Sequence, residues 1–270
     1  MPTILTIAGS DPTGGAGVQA DLQTFCSLGS HGAAVITSIT AQDTASVRST
    51  HHLPAEWIGE QLAGLLEDVA IDSAKTGMLG NAAIAETVAE VLCQWPDIPL
   101  VVDPVVWSTS GLALLDGPGV EAVRRRLLPR ATVVTPNLAE AQVLTGMTVA
   151  DVSGMREAAR RLTDTGARAA LVKGGHLPDE PVDVLCVGGD LLEFAGPRIT
   201  AERRVHGTGC VLAAALATFL GQGRSIPSAT ERARAYLAAG MRRARAIGHG
   251  AAVVDFGAAA AALQPGVHDA

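Results

Sequence analysis

Arg204-Val205-His206-Gly207-Thr208-Gly209-Cys210 runs without a break into an apolar, alanine-rich stretch over residues 211–220. A glycine-interrupted loop that opens into a helix aims several backbone N–H groups at one spot. The helix dipole adds roughly half a positive charge there. Such a helix start binds phosphate, or stabilises charge developing on a transferring phosphoryl group. It also sets one reactive side chain, the thiol of Cys210, at the mouth of the site. Short glycine loops are common, and these residues alone would equally serve a plain helix start with a buried cysteine. The rest of the chain separates the two readings.

Outward from this stretch, short apolar runs alternate with longer amphipathic ones. Strands are expected at residues 4–8, 33–39, 100–102, 132–135 and 169–172. These are continuous runs, as parallel strands covered on both faces require. Helical patterns lie between them at 17–28, 55–68, 82–94, 119–127, 138–144 and 154–165. Residues 181–187 and 191–194, joined by Gly188-Gly189-Asp190, predict an antiparallel hairpin. Two long helices follow, from Gly209 and from Pro227, and the alanines at 258–262 predict a helical tail. No internal repeat or low-complexity linker interrupts the pattern. Residues 1–270 therefore read as a single doubly wound α/β domain with a central, mostly parallel sheet flanked by helices.

Composition agrees. Of 270 residues, 48% are hydrophobic but only 3% aromatic, so the core must be aliphatic. A net charge of −7 argues against a nucleic-acid partner, which needs a basic face. The clusters Arg124-Arg125-Arg126 and Arg242-Arg243 fall in helical patterns and read as solvated faces. Cys26, Cys93, Cys186 and Cys210 are far apart, which disfavours zinc and disulfides and suits a reducing cytosol. The N-terminus lacks a basic leader, and no run reaches the ~18 apolar residues of a membrane span. A cytoplasmic protein with no membrane partner is expected.

In a doubly wound sheet, ligands bind at the carboxyl ends of the strands. Six loops there carry the polar and glycine residues: 9–17, 40–44, 75–79, 103–105, 136–140 and 173–176. Asp103 ends a strand where a metal or phosphate would arrive. Asn137 and Glu140 share one face of a helix start, as oxygen ligands for Mg²⁺ or as an N-cap and its capping box. Lys173, directly after a buried strand and before two glycines, is placed for a polyphosphate. His176 and His206 lie in glycine loops, where histidines often only satisfy backbone groups. The first loop, with Gly14, Gly15 and Gly17, lacks the dinucleotide register and fits a cover over a small substrate. Asp21 and Gln42 together could hydrogen-bond one edge of a flat heterocycle.

Taken in order, these motifs resemble the hydroxymethylpyrimidine/phosphomethylpyrimidine kinases of thiamin synthesis, a branch of the ribokinase-like superfamily. The resemblance rests on residues 7–22 (IAGSDPTGGAGVQADL), Thr40-Ala41-Gln42, Lys75-Thr76-Gly77-Met78-Leu79, Asp103-Pro104-Val105, residues 135–140, Lys173-Gly174-Gly175-His176 and His206-Gly207-Thr208-Gly209-Cys210. It implies ATP and Mg²⁺ as cofactors, a small pyrimidine alcohol as substrate, and a homodimer. It assigns Gly9, Asp21, Gln42, Met78 and Val105 to the pyrimidine pocket. Cys210 falls at the position of the base, with Gly207 and Gly209 in the anion hole. Lys173, Thr208 and Asn137 fall on the ATP side, and Asp103 and Glu140 in the metal network. The chain departs from the family at Asp43, at Val106-Trp107-Ser108-Thr109, and in Gly248-His249-Gly250-Ala251-Ala252, which keeps only the start of a glycine-histidine motif. A pyridoxine or pyridoxal kinase of the same superfamily, and a non-catalytic metabolite sensor on the kinase scaffold, are the competing readings.

Overall fold

The apolar runs become parallel strands because helices cover both of their faces. The computed structural model describes residues 1–108, 111–178 and 180–263. The first half of the chain comprises β1 (Thr3–Ser10), α1 (Gly17–Ser27), β2 (His31–Gln42), β3 (Val47–His52), α2 (Ala55–Asp68), β4 (Ser73–Thr76), α3 (Ala82–Leu92), β5 (Leu100–Val102), α4 (Gly117–Ala122) and β6 (Val133–Val134). The second half comprises α5 (Leu138–Thr145), α6 (Val152–Asp164), β7 (Ala169–Val172), β8 (Val182–Val187), β9 (Asp190–Ala195), β10 (Val205–His206), α7 (Thr208–Gly221), α8 (Ile226–Arg242), β11 (Ala252–Val253) and α9 (Phe256–Ala261).

Among the described residues, nine strands form one sheet in the order β3-β2-β1-β4-β5-β6-β7-β8-β9. From β2 to β7 the neighbours are parallel. The edges are antiparallel, β3 on β2 and the β8–β9 hairpin on β7. Strand alternation divides the core in two. Leu5, Ile7, Ala74, Leu100 and Val102 pack with α2 to α6, whereas Ile4, Val101, Val133 and Leu171 pack with α1, α7, α8 and α9. Helix α7 is buried from Val211 through Leu220. A helix that is apolar all round belongs inside, and here α1 and α8 cover it on one side and the sheet on the other.

The expected strands and helices are present, with shifts at their ends. The helix expected at 119–127 starts at Gly117, capped by Asp116, and continues as a π-helical turn over Val123–Leu127. That turn holds Arg124, Arg125 and Arg126 out in solvent, as their charge requires. In the hairpin, Val187 pairs with Asp190, so the turn is Gly188-Gly189 alone. Both glycines have positive φ, 60° and 89°, the combination that matches strand twist.

One expectation needs correction. Lys75 and Thr76 are not in a loop but in β4, fully buried. The edge strand β3, which carries no apolar run, and the two-residue strands β10 and β11, too short to read, add to the expected strands.

Candidate active site

The parallel strands end on one side of the sheet around an open cavity of about 1730 Å³. It lies where the chain order reverses on either side of β1, the place a doubly wound sheet opens a crevice. The loop after β1 is organised by Asp11. Its carboxylate accepts from the Thr13 N–H at 2.8 Å, the Ala16 N–H at 2.9 Å and the Thr13 hydroxyl at 3.0 Å. His206 Nε2 lies 3.1 Å from the same group. Burial works to raise the Asp11 carboxyl, but the hydrogen bonds from His206, Gln42 and Thr13 outweigh it and hold it below the ordinary carboxylate value. Thus β10 is tied to the glycine loop by a side-chain contact. His206 serves a carboxylate, not the backbone. His176 stays exposed on the cavity rim, its proton affinity lowered by partial burial and then by Arg204, Lys173 and Arg198.

Gly207 makes the close approach of the two loops possible. Its φ is 72°, and a Cβ there would lie 1.8 Å from the Gly15 carbonyl oxygen. Helix α7 begins at the next residue without a side-chain cap, as does α1 at Gly17. Both helix starts thus lie beside the cavity without a side-chain cap of their own, although at α1 the Ala16 N–H is taken by Asp11 and the Gly17 N–H is directed at Cys210. A Cβ on Gly209 would lie 3.3 Å from Lys173 Nζ and 3.7 Å from Asp103 Oδ2. The start of α7 and this charged pair thus adjoin.

Lys173 Nζ donates to Asp103 Oδ1 at 2.9 Å, and the Thr135 hydroxyl donates to the same oxygen at 3.0 Å. Asn137 and Glu140 form the capping box at the start of α5. The Glu140 N–H donates to Asn137 Oδ1 at 2.9 Å, and the Asn137 N–H donates to Glu140 Oε2 at 2.8 Å. Burial lifts the Glu140 carboxyl to about 7, with Lys173 pulling it down and Asp103 pushing it up. Among the described residues no three His, Cys, Asp or Glu side chains gather as metal ligands. The available donors are carboxylates with an oxygen, Asp103 Oδ2, facing Gly209 at the start of α7. That set fits Mg²⁺, which binds through one or two carboxylates and completes its shell with phosphate oxygens and water.

Cys210 lines the cavity, partly exposed, and its sulfur accepts the Gly17 N–H. Burial dominates and raises the thiol to about 11, although Lys75 and the Gly17 N–H lower it; Asp21 and Asp103 add to the rise.

Gly9, Gln42, Met78 and Val105 also line the cavity. Gly9 and Met78 touch closely, for a Cβ at Gly9 would be 2.9 Å from the Met78 sulfur. Gln42 lines the cavity and helps to lower the Asp11 carboxyl. Asp21 does not line it. Strand alternation turns its partners Thr6 and Lys75 inward, and Asp21 follows them beneath the floor, fully buried. It cannot hydrogen-bond a ring edge from there.

The departures also resolve. The Asp43 carboxylate is taken up by the Ala45 and Ser46 N–H groups and by Arg48, which hold it below its ordinary value. Trp107 lines the cavity in an antiparallel bridge with Ala113. Thr109 of that stretch lies outside the described residues. The loop around Gly250 clasps Thr44, with N–H bonds from Gly250 and Ala251 to its hydroxyl and carbonyl at 3.0 and 2.8 Å.

Sequence reading missed two organising residues, Asp11 and Asp183. Asp183 accepts from the Gly174 N–H at 2.8 Å and from Arg234 at 2.7 Å, fixing the loop that carries Lys173. The Asp-Pro-Thr-Gly turn could have signalled the first; nothing local signals the second.

The doubly wound sheet with a cavity at its switch point places the chain among the ribokinase-like small-molecule kinases. A pyridoxal kinase from Staphylococcus aureus, solved in complex with ADP, superposes with a TM-score of 0.87 at 34% identity, over 96% of this chain and 94% of that one. The chain belongs to the phosphomethylpyrimidine kinase family, whose model matches residues 11–255. It is 45% identical, over 256 residues, to the hydroxymethylpyrimidine/phosphomethylpyrimidine kinase of Streptomyces coelicolor, covering 95% of this chain and 94% of that protein. The crystal structure of phosphomethylpyrimidine kinase from Clostridium difficile 630 matches with a TM-score of 0.79 at 35% identity, over 88% of this chain and 98% of that one.

Proposed function

We propose that the chain, acting as one kinase domain over residues 1–270, phosphorylates 4-amino-5-hydroxymethyl-2-methylpyrimidine with ATP and then phosphorylates the monophosphate, for thiamin synthesis. The observation that carries this reading is the 45% identity to a named pyrimidine kinase along nearly the full length of both chains. Gln42, Gly9, Met78 and Val105 form the pyrimidine side of the cavity. Gln42, in the cavity lining, offers its amide to the ring edge. Lys173, Thr208 and Asn137 face the nucleotide phosphates, and the Gly207–Gly209 backbone receives the charge that develops during transfer. Cys210 holds the proton of the attacking hydroxyl. Asp103 and Glu140 would hold Mg²⁺, which neutralises phosphate charge when bound. Fold similarity alone would favour a pyridoxal kinase, since that neighbour has the higher TM-score, 0.87 against 0.79. Both substrates are flat heterocycles bearing a hydroxymethyl group, so a shared fold does not separate them. A sensor without activity would have no need of Cys210, Lys173 and Glu140 in one cavity.

Among the described residues no helix is long and apolar enough to cross a membrane. We place the enzyme in the cytoplasm as a homodimer, a state that light scattering of the purified protein tests. The deciding assay mixes the protein, ATP and a magnesium series with the pyrimidine alcohol, its monophosphate or pyridoxal, and reads products by mass spectrometry. Both pyrimidine phosphates should form, and only with magnesium. A kcat/KM much higher on pyridoxal would overturn the substrate assignment.

A further inference from the structure

Among the described residues the wall of the cavity carries a single Phe, Tyr or Trp side chain, that of Trp107. The roles above leave it unused. Trp107 is 39% exposed, although an indole is among the largest apolar groups a fold can bury. Its neighbour Val106 is buried in the core, while Val105 and Trp107 on either side line the cavity, as alternation along an extended chain requires. Backbone bonds hold the segment as one arm of a short hairpin. The Leu114 N–H donates to the Val106 carbonyl and the Ser108 N–H to the Leu112 carbonyl, both at 2.8 Å. Between these two bonds Trp107 pairs with Ala113, whose methyl is too small to cover an indole. A flat apolar face is thereby fixed in place and left open in the cavity.

Placement in the sheet decides which ring it meets. Gly9, Gln42, Met78 and Val105 lie in or just after β1, β2, β4 and β5, which are neighbours in the order β2-β1-β4-β5. Trp107 follows Val105 by two residues and belongs to the same group. The wall supplied by α7 and α8 offers Leu212, Ala235, Ala238 and Met241, with no aromatic ring.

We propose that Trp107 sets how the phosphoryl acceptor is held: its indole stacks on the face of the pyrimidine ring while Gln42 takes the ring's edge. Aromatic rings favour such offset stacking, and a rigid indole loses little freedom in making it. The inference rests on reading this cavity as that of a pyrimidine kinase.

The test is calorimetric and needs no turnover. The pyrimidine alcohol and, separately, Mg-ADP are titrated into the wild type, Trp107→Phe and Trp107→Leu. Phe keeps an aromatic face; Leu keeps apolar bulk without one. Trp107→Leu should weaken pyrimidine binding about tenfold, the order of loss when a stacking aromatic is taken from a base, and Trp107→Phe by less than about threefold. Mg-ADP should bind all three alike. Unchanged pyrimidine affinity in Trp107→Leu, equal losses in both variants, or a loss confined to Mg-ADP overturns the proposal. A second measurement leaves position 107 intact. Trp57 and Trp95, the other two tryptophans, are not on the cavity wall, so in Trp57→Phe/Trp95→Phe the emission reports Trp107 alone. The pyrimidine alcohol should quench it saturably, and no change on adding it overturns the stacking. Should the wild type bind pyridoxal and not the pyrimidine, the substrate reading falls, and the same calorimetric comparison on pyridoxal decides the role of Trp107. Binding of neither overturns both.

Discussion

At the N-terminal end of α7, Cys210 meets opposed influences: the Lys75 charge and the Gly17 N–H favour the thiolate, burial and two carboxylates disfavour it. Burial wins, so the thiol is protonated at neutral pH with a value near 11. Bound phosphates would add negative charge to the same place and push it further. If Cys210 is the base, kcat should keep rising with pH beyond about 9, without the plateau that an unperturbed thiol near ~8.5 would give. Cys210→Ala should lower kcat by ~10²–10⁴-fold with little change in pyrimidine KM, the usual reach of one general base. Steady-state kinetics across pH on both proteins check this. A flat profile, or an alanine variant that keeps most of its kcat, would make the thiol a packing group.

Elements meet at one glycine. The loop after β1 and the entry to α7 can touch only because Gly207 has no side chain, with φ 72° and the Gly15 carbonyl where a Cβ would stand. Gly207→Ala must therefore push the two loops apart as well as strain its own backbone, a cost of at least about 1–3 kcal/mol. The urea midpoint should fall. Because the anion-hole N–H groups lose their aim, kcat should drop by about 10²-fold or more, the size of effect seen when one oxyanion donor is lost. The substitution Gly189→Ala in the β8–β9 turn, also at positive φ but with open space around it, is the control. It should cost stability alone, and equal losses of kcat in both variants would show that strain by itself explains the effect.

On the scale of the whole molecule, the cavity is built from strand ends and loops of both halves of the sheet, from Gln42 at the end of β2 to Lys173 after β7. A ligand that fills it bridges the sheet and binds only the folded state. Stability should then rise with ligand by mass action, by about 2.7 kcal/mol at a hundredfold excess over Kd. For a chain of this size that is roughly 5–10 °C in the thermal midpoint. Calorimetry with Mg-ATP, the pyrimidine alcohol and both together measures it. A midpoint unmoved by both ligands would show that neither binds the folded state.

The sequence by itself determined the layers, the parallel strands, the helix starts and many of the residues that line the cavity, because each depends on local chemistry. Apolar runs of strand length, a capping pair three residues apart and glycines before a helix state their conformation within a few residues. The strand β3 was not legible, since an edge strand half in water carries no apolar run. The tertiary structure alone decided the fate of Asp21 and Lys75, which are 54 residues apart and read singly as polar loop and helix residues. It likewise decided the protonation of Cys210, because desolvation depends on every atom packed around the sulfur. Local sequence states which donors exist; only the fold sets how much water and which opposite charges reach them.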